Sequence, residues 1–240
     1  MVLDIESFPN QSWTWGKWEQ NVIAFVREKM MCSVAWKWLG EKKVHCLALP
    51  DFPGYNPKKY NNSLLVEKFY KEYIKADVVI AHNAFRFDEP MLRSEFIKNG
   101  LKPPPPHKVI DTLRIARQQF KFNSNKLDDL GELLGVGRKV QHEGFGLWLG
   151  CMEGNMRSWK KMIRYNIQDV KLLENVYLSI RSWATNHPNL NDYSGEKYCP
   201  GCQSKNLFLQ GFRVTASGKK QRYQCKDCGK WSADSGRRIA

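Results

Sequence analysis

The sequence predicts an α/β fold followed by a small metal-binding module. Two short apolar runs, at residues 77–81 and 109–113, each lead into a segment whose apolar residues recur at helical spacing. Strands that alternate with helices in this way are typical of α/β domains. A long amphipathic stretch at residues 155–183 predicts a further helix, and two Cys-x-x-Cys pairs near the end predict the metal module.

The composition is that of a folded, strongly basic protein. The chain has 240 residues, 42% hydrophobic and 12% aromatic, which suffices for one core and a small extra module. Its formal net charge of +14 favours a polyanionic partner, with nucleic acid first and an acidic membrane surface second. No apolar run reaches the roughly 18–20 residues that span a bilayer, and the acidic start does not resemble a secretion signal. We therefore expect a protein that is not secreted and lies in the cytoplasm, or inside a host cell if its source is viral.

The first predicted strand carries two acids. Side chains alternate along a strand, so Asp4 and Glu6 point to one side while Leu3 and Ile5 point to the other. Two buried carboxylates side by side repel each other, and a hard divalent cation such as Mg²⁺ relieves that repulsion. The stretch therefore indicates a metal site, with a solvated strand end as the alternative.

Three tryptophans follow this strand, namely Trp13, Trp15 and Trp18. Aromatic rings beside a metal strand could stack on nucleic-acid bases. We favour the alternative, in which the three rings pack the loop onto the domain.

Strands and helices alternate over the rest of the first 183 residues. Residues 21–29 are either a short helix or the start of a strand. The other predicted elements are a β-hairpin of residues 30–39 and 44–49, a helix of residues 62–75 capped by Ser63, a strand at 77–81, a helix at 89–98, a strand at 109–113 and helices at 127–134 and 155–183.

Two further acidic positions belong to segments that open helices. Asp88 lies in the polar stretch of residues 82–90, at a strand-to-helix junction where α/β folds place chemistry. Asp111 lies in the next predicted strand and is expected either near the same site or as a cap of the following helix. Helix capping is the alternative role for Asp88 as well.

The long helix carries a tyrosine and an acid on one face. Tyr165 and Asp169 are four residues apart, so they lie one helical turn from each other. Such a pair could jointly hold a water molecule and a metal ion, and a partly exposed pair without function is the alternative.

The C-terminal module carries a cysteine pattern typical of structural zinc. Two Cys-x-x-Cys knuckles separated by a β-rich stretch indicate four thiolate ligands and no open position for catalysis. An iron–sulfur or redox role is the alternative. The polar composition after Trp183 predicts a linker at residues 184–197, between a domain of residues 1–183 and a module of residues 198–240 with a basic tail. The four predicted ligands are Cys199, Cys202, Cys225 and Cys228.

Basic residues of this module interleave with aromatic ones. Such interleaving suits contact with phosphates combined with stacking on bases. A solvated basic face or a surface for a protein partner are the alternatives. The cluster consists of Arg213, Lys219, Lys220 and Arg222, with Phe212 and Tyr223 beside them.

Together, the three acidic stretches resemble the DEDD family of 3′–5′ exonucleases, which have a ribonuclease H-like fold. The run Leu3-Asp4-Ile5-Glu6 resembles the first motif of that family, and Asn83 with Phe87-Asp88 resembles the second. Residues 165–169 resemble the third motif, in the tyrosine-bearing subclass that includes the proofreading domains of family-A and family-B DNA polymerases. The second motif is closest to the family-B type. The C-terminal module separately resembles the zinc ribbons of transposases.

The resemblance implies a mixed sheet flanked by helices and a two-metal active site. Asp4, Glu6, Asp88 and Asp169 would bind two Mg²⁺ or Mn²⁺ ions, and Tyr165 would orient the attacking water. Asn83 and Phe87 would join the nucleic-acid contacts, Asn83 mainly as a support of the Asp88 loop. One structural Zn²⁺ would hold the ribbon.

The implied function is a free-standing 3′–5′ exonuclease whose ribbon helps to hold nucleic acid. Single-stranded DNA is the favoured substrate and RNA the second choice. A replication or recombination protein is a further candidate partner, and no membrane is expected. The alternatives are a structure-specific endonuclease on the same fold and, from another class, a non-catalytic nucleic-acid-binding adaptor.

Overall fold

The computed structural model describes residues 1–18, 21–185, 187–189, 197–216 and 218–233. The chain divides into two compact units. The first comprises Met1–Arg114 with Ser124–Val176, and the second comprises Ile115–Asn123 with Tyr177–Ala240. Much of the predicted linker and the predicted basic tail lie outside the described residues, so the predicted domain boundaries stay a prediction.

The described residues form strands and helices in an order that begins with strands. The strands are β1 (Val2–Phe8), β2 (Gln11–Trp13), β3 (Ala24–Arg27), β4 (Met30–Lys37), β5 (His45–Ala48), β6 (Val78–Ala81), β7 (Lys108–Asp111), β8 (Leu207–Thr215), β9 (Gly218–Cys225) and β10 (Trp231–Ala233). The α-helices are α1 (Ser63–Tyr73), α2 (Asp88–Lys98), α3 (Thr112–Gln119), α4 (Leu127–Leu133), α5 (Gly146–Met152) and α6 (Met156–Ile180).

β1 is the central strand of a five-stranded sheet with the order β5-β4-β1-β6-β7. It pairs antiparallel with β4 and parallel with β6, and β6 is parallel to β7. Val2, Leu3 and Ile5 are buried, as expected for a strand with neighbours on both sides and helices over the sheet. The predicted mixed α/β fold is therefore confirmed.

α6 is fixed against the sheet at three points along its length. The ring of Trp159 packs on Phe8 of β1, with centroids 5.7 Å apart. Further along, the amide of Asn166 donates hydrogen bonds to Asp4. Near the end of the first unit, Glu174 forms a buried ion pair with Lys37 of β4. The face of α6 that carries the third acidic motif is thereby held over β1.

A buried carboxylate joins α2 to β4. Glu95 accepts a hydrogen bond from the backbone N–H of Met31 at 3.1 Å and another from the Asn62 amide at 2.8 Å. The same Asn62 amide donates to the Met31 carbonyl at 3.1 Å. Because all three residues are buried, each of these polar groups depends on the others for a partner.

The structure tests two local predictions, one at the start of α1 and one at residues 21–29. Ser63 is the first residue of α1 and Asn62 holds the N-cap position, so the predicted Ser63 cap is wrong. The Asn62 side chain makes no capping bond, and its Nδ2 group instead donates to the Met31 carbonyl and to Glu95. Residues 21–29, which were expected to form either a short helix or the start of a strand, contain strand β3.

The prediction that the three tryptophans pack onto the domain is wrong. Trp13, Trp15 and Trp18 are 67%, 90% and 75% exposed. They belong to the segment of β2 and β3, which pair with each other as a separate two-stranded sheet. A sheet of two strands offers no second layer on which these rings could be buried.

Among the described residues, no helix is both long enough and apolar enough to cross a membrane.

We expect Glu95→Ala to lower the free energy of unfolding by about 2–4 kcal/mol, because it leaves the buried Met31 N–H without a partner and the Asn62 amide with only the Met31 carbonyl. Urea unfolding followed by circular dichroism measures the change. Glu67→Ala, on the exposed face of α1, is the matched control and should change stability by less than about 0.5 kcal/mol. Equal effects of the two substitutions would contradict this role of Glu95.

Candidate functional site

Three carboxylates meet where β1 passes α6. Asp4 and Glu6, two residues apart on β1, lie on the same side of the strand, and Asp169 comes from α6. Oxygen atoms of the three side chains lie within 4.8 Å of one another. The sequence-predicted first and third motifs are thus brought together.

Asp88, the acid of the second motif, adjoins this cluster. It is the first residue of α2 and only 3% exposed, and Phe87 rather than Asp88 holds the N-cap position. Its carboxylate does not belong to the group of three within 4.8 Å. Burial raises its pKa most and the charge of Asp4 raises it further, and the charge of Asp88 adds to the effects of burial, Asp4 and Asp169 on the pKa of Glu6. Asp88 is therefore a fourth carboxylate in the same electrostatic environment.

Crowding and burial shift the pKa values of the acids upwards. Burial, and next the charge of Asp169, raise the pKa of Asp4 to about 7. Burial and the neighbouring carboxylates raise the pKa of Glu6 well above its ordinary value, and that of Asp88 likewise. Burial also raises the pKa of Asp169, although Lys139 opposes the shift. Full ionisation of the cluster thus requires positive charge nearby.

Lys139 supplies positive charge that sequence reasoning missed. Its ammonium group donates hydrogen bonds to the carboxylate of Asp169 and, at 2.9 Å, to the hydroxyl of Tyr165. Burial lowers the pKa of Lys139, but Asp169 and Tyr165 outweigh that effect and raise it. A single lysine in a glycine-containing loop carries no sequence signal of such a contact.

Asn166 is a second residue of this site that the sequence analysis does not identify. Its amide donates to the carboxylate of Asp4 at 2.7 Å and to the Asp4 carbonyl at 3.1 Å. Its oxygen accepts a hydrogen bond from the Ser33 hydroxyl of β4 at 2.9 Å. Asn166 therefore fixes one carboxylate of β1 from the helix that carries the third motif, and its only sequence signal is its position beside Tyr165.

The loop of the second motif is held by Asp111. The Asp111 carboxylate accepts hydrogen bonds from the backbone N–H groups of Asn83 at 3.0 Å and Phe85 at 3.3 Å. It also accepts two from the first turn of α3, as a cap would. Its charge adds to the effects of burial and of Asp4 in raising the pKa of Asp88, so Asp111 both caps α3 and lies near the site. Asn83 has a φ of 69°, a left-handed conformation that asparagine tolerates. Phe87 in this loop is 40% exposed.

The acid cluster fits a hard divalent cation. Asp169 Oδ1 is buried and, within the part of the chain that is described, has no hydrogen-bond partner. The other oxygen of Asp169 already holds the Lys139 ammonium. Carboxylate oxygens are the ligands that Mg²⁺ and Mn²⁺ prefer, so Asp4, Glu6 and Asp169 could hold such an ion, with Asp88 beside them.

An aromatic-walled cleft lies beside Tyr165. The ring of Tyr165 contacts His142, at a centroid distance of 4.9 Å, and Trp148, at 6.2 Å. Both residues also line a cavity of about 470 Å³. The residues that line it are Ser7, Pro9, His142, Gly144, Phe145 and Trp148.

The second unit contains a cysteine cluster that fits zinc. The sulfur atoms of Cys199, Cys202, Cys225 and Cys228 lie within 4.8 Å of one another, and two of the sulfur–sulfur distances are 3.6 Å. A tetrahedron with metal–sulfur bonds of about 2.3 Å has edges of about 3.8 Å. The cluster could therefore hold Zn²⁺ with all four positions occupied by sulfur.

The predicted basic cluster of this unit is divided between two faces of a sheet. Arg213 of β8 pairs directly with Lys220 of β9, and Arg222 lies two residues further along β9, on the same face. Alternation along β9 puts Lys219 and Tyr223 on the opposite face.

A model described as RNase_H superfamily matches residues 50–181. Among solved structures, the chain is similar to that of the family B DNA polymerase from the hyperthermophilic archaeon Pyrobaculum calidifontis, with 14% identity and a TM-score of 0.53. The match covers 75% of this chain and 25% of the polymerase, so the chain spans about a quarter of that protein. No curated protein matches the chain. The likeness confirms the predicted ribonuclease H-like fold.

We expect metal ions to stabilise the protein more strongly at high pH. The pKa of Asp4 is about 7 in the folded protein, against about 4 in an unfolded chain, so the metal-free fold takes up protons. Its free energy of unfolding therefore falls as pH rises from about 4 through about 7. A bound cation replaces those protons, so Mn²⁺ should raise the melting temperature more at about pH 8 than at about pH 5.5.

Calorimetry of dialysed protein with and without Mn²⁺ measures this difference. The double variant Asp4→Asn with Asp169→Asn should lose the Mn²⁺ effect, and Glu153→Gln, an exposed acid elsewhere, should keep it. An equal shift at both pH values, or a shift that persists in the double variant, would show that the ion binds elsewhere.

Lys139→Met should destabilise the metal-free protein at about pH 8 by about 1–3 kcal/mol, because it leaves Asp169 without its cationic partner. Mn²⁺ should restore most of this loss by supplying charge to the same carboxylates. Urea unfolding with and without Mn²⁺ tests both statements, with the exposed Lys160→Met as control. A deficit that Mn²⁺ does not reduce would argue against shared ligands.

Proposed function

The chain belongs to the RNase_H superfamily, and from that premise we propose that it is a metal-dependent 3′–5′ exonuclease of the tyrosine-bearing DEDD type. The observation that carries the proposal is the cluster of Asp4, Glu6 and Asp169, with Asp88 adjoining and Tyr165 one turn away on α6. A protein that only binds nucleic acid gains nothing from a cluster of carboxylates, because they repel phosphate in the absence of metal.

The four acids would hold two Mg²⁺ or Mn²⁺ ions, which would supply a hydroxide nucleophile and stabilise charge on the leaving 3′ oxygen. Tyr165 keeps its proton, because burial and Asp169 raise its pKa, and it therefore orients the attacking water by hydrogen bonding. Lys139 holds the Tyr165 hydroxyl and adds positive charge next to the phosphate position. Asn166 keeps the Asp4 carboxylate in one orientation.

The cleft beside Tyr165 supports an unpaired 3′ end as the substrate. Its aromatic walls, formed by His142, Phe145 and Trp148, suit a planar nucleobase, and a paired base would have to leave its duplex to enter. We favour single-stranded DNA over RNA because the structural likeness is to a DNA polymerase. Asn83 and Phe87, in the loop that carries Asp88, would contact the strand.

The second unit would contribute a zinc ribbon that aids nucleic-acid binding. Its four cysteines would hold one structural Zn²⁺, and its basic strands would contact phosphates. The resemblance to transposase ribbons and the division into residues 1–183 and 198–240 are part of this proposal, as is a replication or recombination partner.

Digestion of matched single-stranded DNA and RNA, each labelled at the 5′ end, tests the function. We expect a ladder that shortens from the 3′ end and requires added Mg²⁺ or Mn²⁺. Asp4→Asn and Asp169→Asn should each lower the rate at least about 100-fold, and Tyr165→Phe by about 10- to 100-fold. Glu153→Gln serves as the control and should cut at the wild-type rate.

Internal cuts on branched DNA would favour the structure-specific endonuclease instead. Binding without any cleavage would favour the non-catalytic adaptor, and cleavage by Asp4→Asn at the wild-type rate would refute the assignment of the acids.

A further inference from the structure

The three-stranded sheet of the second unit has two chemically different faces. β9 lies between β8 and β10, and directly paired residues share a face. Gln224 of β9 pairs with Phe208 of β8 on one side and with Trp231 of β10 on the other. Phe208 and Trp231 therefore lie on the same face, two strand spacings or about 10 Å apart.

Basic side chains lie on the same face. Alternation along β9 adds Lys220 and Arg222 to the face of Gln224, and Arg213 joins through its pairing with Lys220. The guanidinium of Arg222 lies 4.7 Å from the ring centroid of Trp231. The ammonium of Lys226 lies 5.0 Å from the ring centroid of Phe208.

The opposite face is more apolar, although Lys219 and Tyr223 of β9 belong to it and the Lys197 ammonium lies 4.9 Å from the Tyr223 ring centroid. Its exposed side chains include Leu209, Phe212 and Val214 of β8, and Lys219 is the β9 partner of Val214. Phe212 and Tyr223, the aromatics nearest to the basic cluster in the sequence, belong to this face. Only the structure therefore shows which rings accompany the arginines.

We propose that the face carrying Phe208 and Trp231 holds unpaired bases of a single-stranded nucleic acid by stacking. The inference rests on the proposed function and assigns the ribbon its ligand and its contact residues. Phe208 and Trp231 are 46% and 47% exposed, so each ring retains surface on which a base can stack. Because the rings are about 10 Å apart, they would stack on different bases. A cation lies over one face of each ring, where it can also meet a neighbouring phosphate.

The positive charge of residues 197–233 favours a polyanion over a protein as the partner of this face. The described residues from 197 to 233 contain eight lysines and arginines but only one acid, Asp227. That acid accepts hydrogen bonds from Ser204 and from Asn206, so it is already engaged. Stacking with backbone contact is tolerant of sequence, and a duplex, whose bases are already stacked, does not satisfy it.

The test measures binding without cleavage. The parent is the full-length, zinc-loaded chain with Asp4→Asn, which removes nuclease activity and leaves the ribbon intact. Fluorescence anisotropy reports its affinity for labelled oligo(dT), oligo(U) and a blunt DNA duplex over a series of salt concentrations. The first two probes distinguish DNA from RNA as the source of the bases.

Adding Phe208→Ala and Trp231→Ala together should weaken binding of a single strand about tenfold or more, with little change in salt dependence. Phe208→Tyr with Trp231→Phe should restore most of the affinity, which a merely structural role of the rings need not do. Phe212→Ala with Val214→Ala, on the opposite face, is the matched control and should bind like the parent. Arg213→Ala with Lys220→Ala should instead reduce the salt dependence.

Unchanged affinity in the Phe208 and Trp231 double variant, at normal zinc content, would overturn the proposal. An equal loss in the Phe212 and Val214 variant would do so too, because it would place the contact on the apolar face. Preference for the duplex would contradict stacking on unpaired bases. Each result is independent of catalysis, so a failure of the exonuclease assay is recognised separately.

Discussion

The mutual repulsion of carboxylates at the centre of the sheet is the constraint on which the rest of the first unit depends. β1 has a paired strand on each side, and this central position limits the access of water to Asp4 and Glu6. The loss of hydration is the largest cause of their raised pKa values. Asp169 and Asp88 add charge to the same place. The Lys139 ammonium and the Asn166 amide offset part of the cost. One oxygen of Asp169 has no hydrogen-bond partner among the described residues and could bind a cation.

The docking of α6 converts this local chemistry into a defined site. One helix provides the acid that completes the cluster, the tyrosine beside it and the amide that orients Asp4. Its attachment through Trp159 and Glu174, on either side of these residues, sets their height and rotation over β1. A shift of α6 by one residue would turn all three functional side chains away together.

What could be predicted from the sequence was local in character. Sequence spacing determines relative position only over a few residues. It correctly paired Asp4 with Glu6 on one side of a strand, and the four cysteines with one another. The cluster of Asp4, Glu6 and Asp169 was expected from the family resemblance. Lys139 reaches the site from a loop, so only the folded chain reveals it. The prediction that the tryptophans near the start join the core failed because, in the part of the chain that the structure describes, β2 and β3 pair only with each other. Composition does not show this pairing.

The two units also differ in how they would attract a nucleic acid. Without a divalent cation, the acid cluster repels phosphate, and one lysine only partly compensates. The ribbon sheet carries its positive charge on its own side chains, so its attraction needs no catalytic metal. The affinity of the acid cluster for nucleic acid would therefore rise with its occupancy by metal ions, whereas the affinity of the ribbon sheet for nucleic acid would not depend on that occupancy. A basic module of this kind fits the proposed nuclease, whose acid cluster would otherwise repel its substrate.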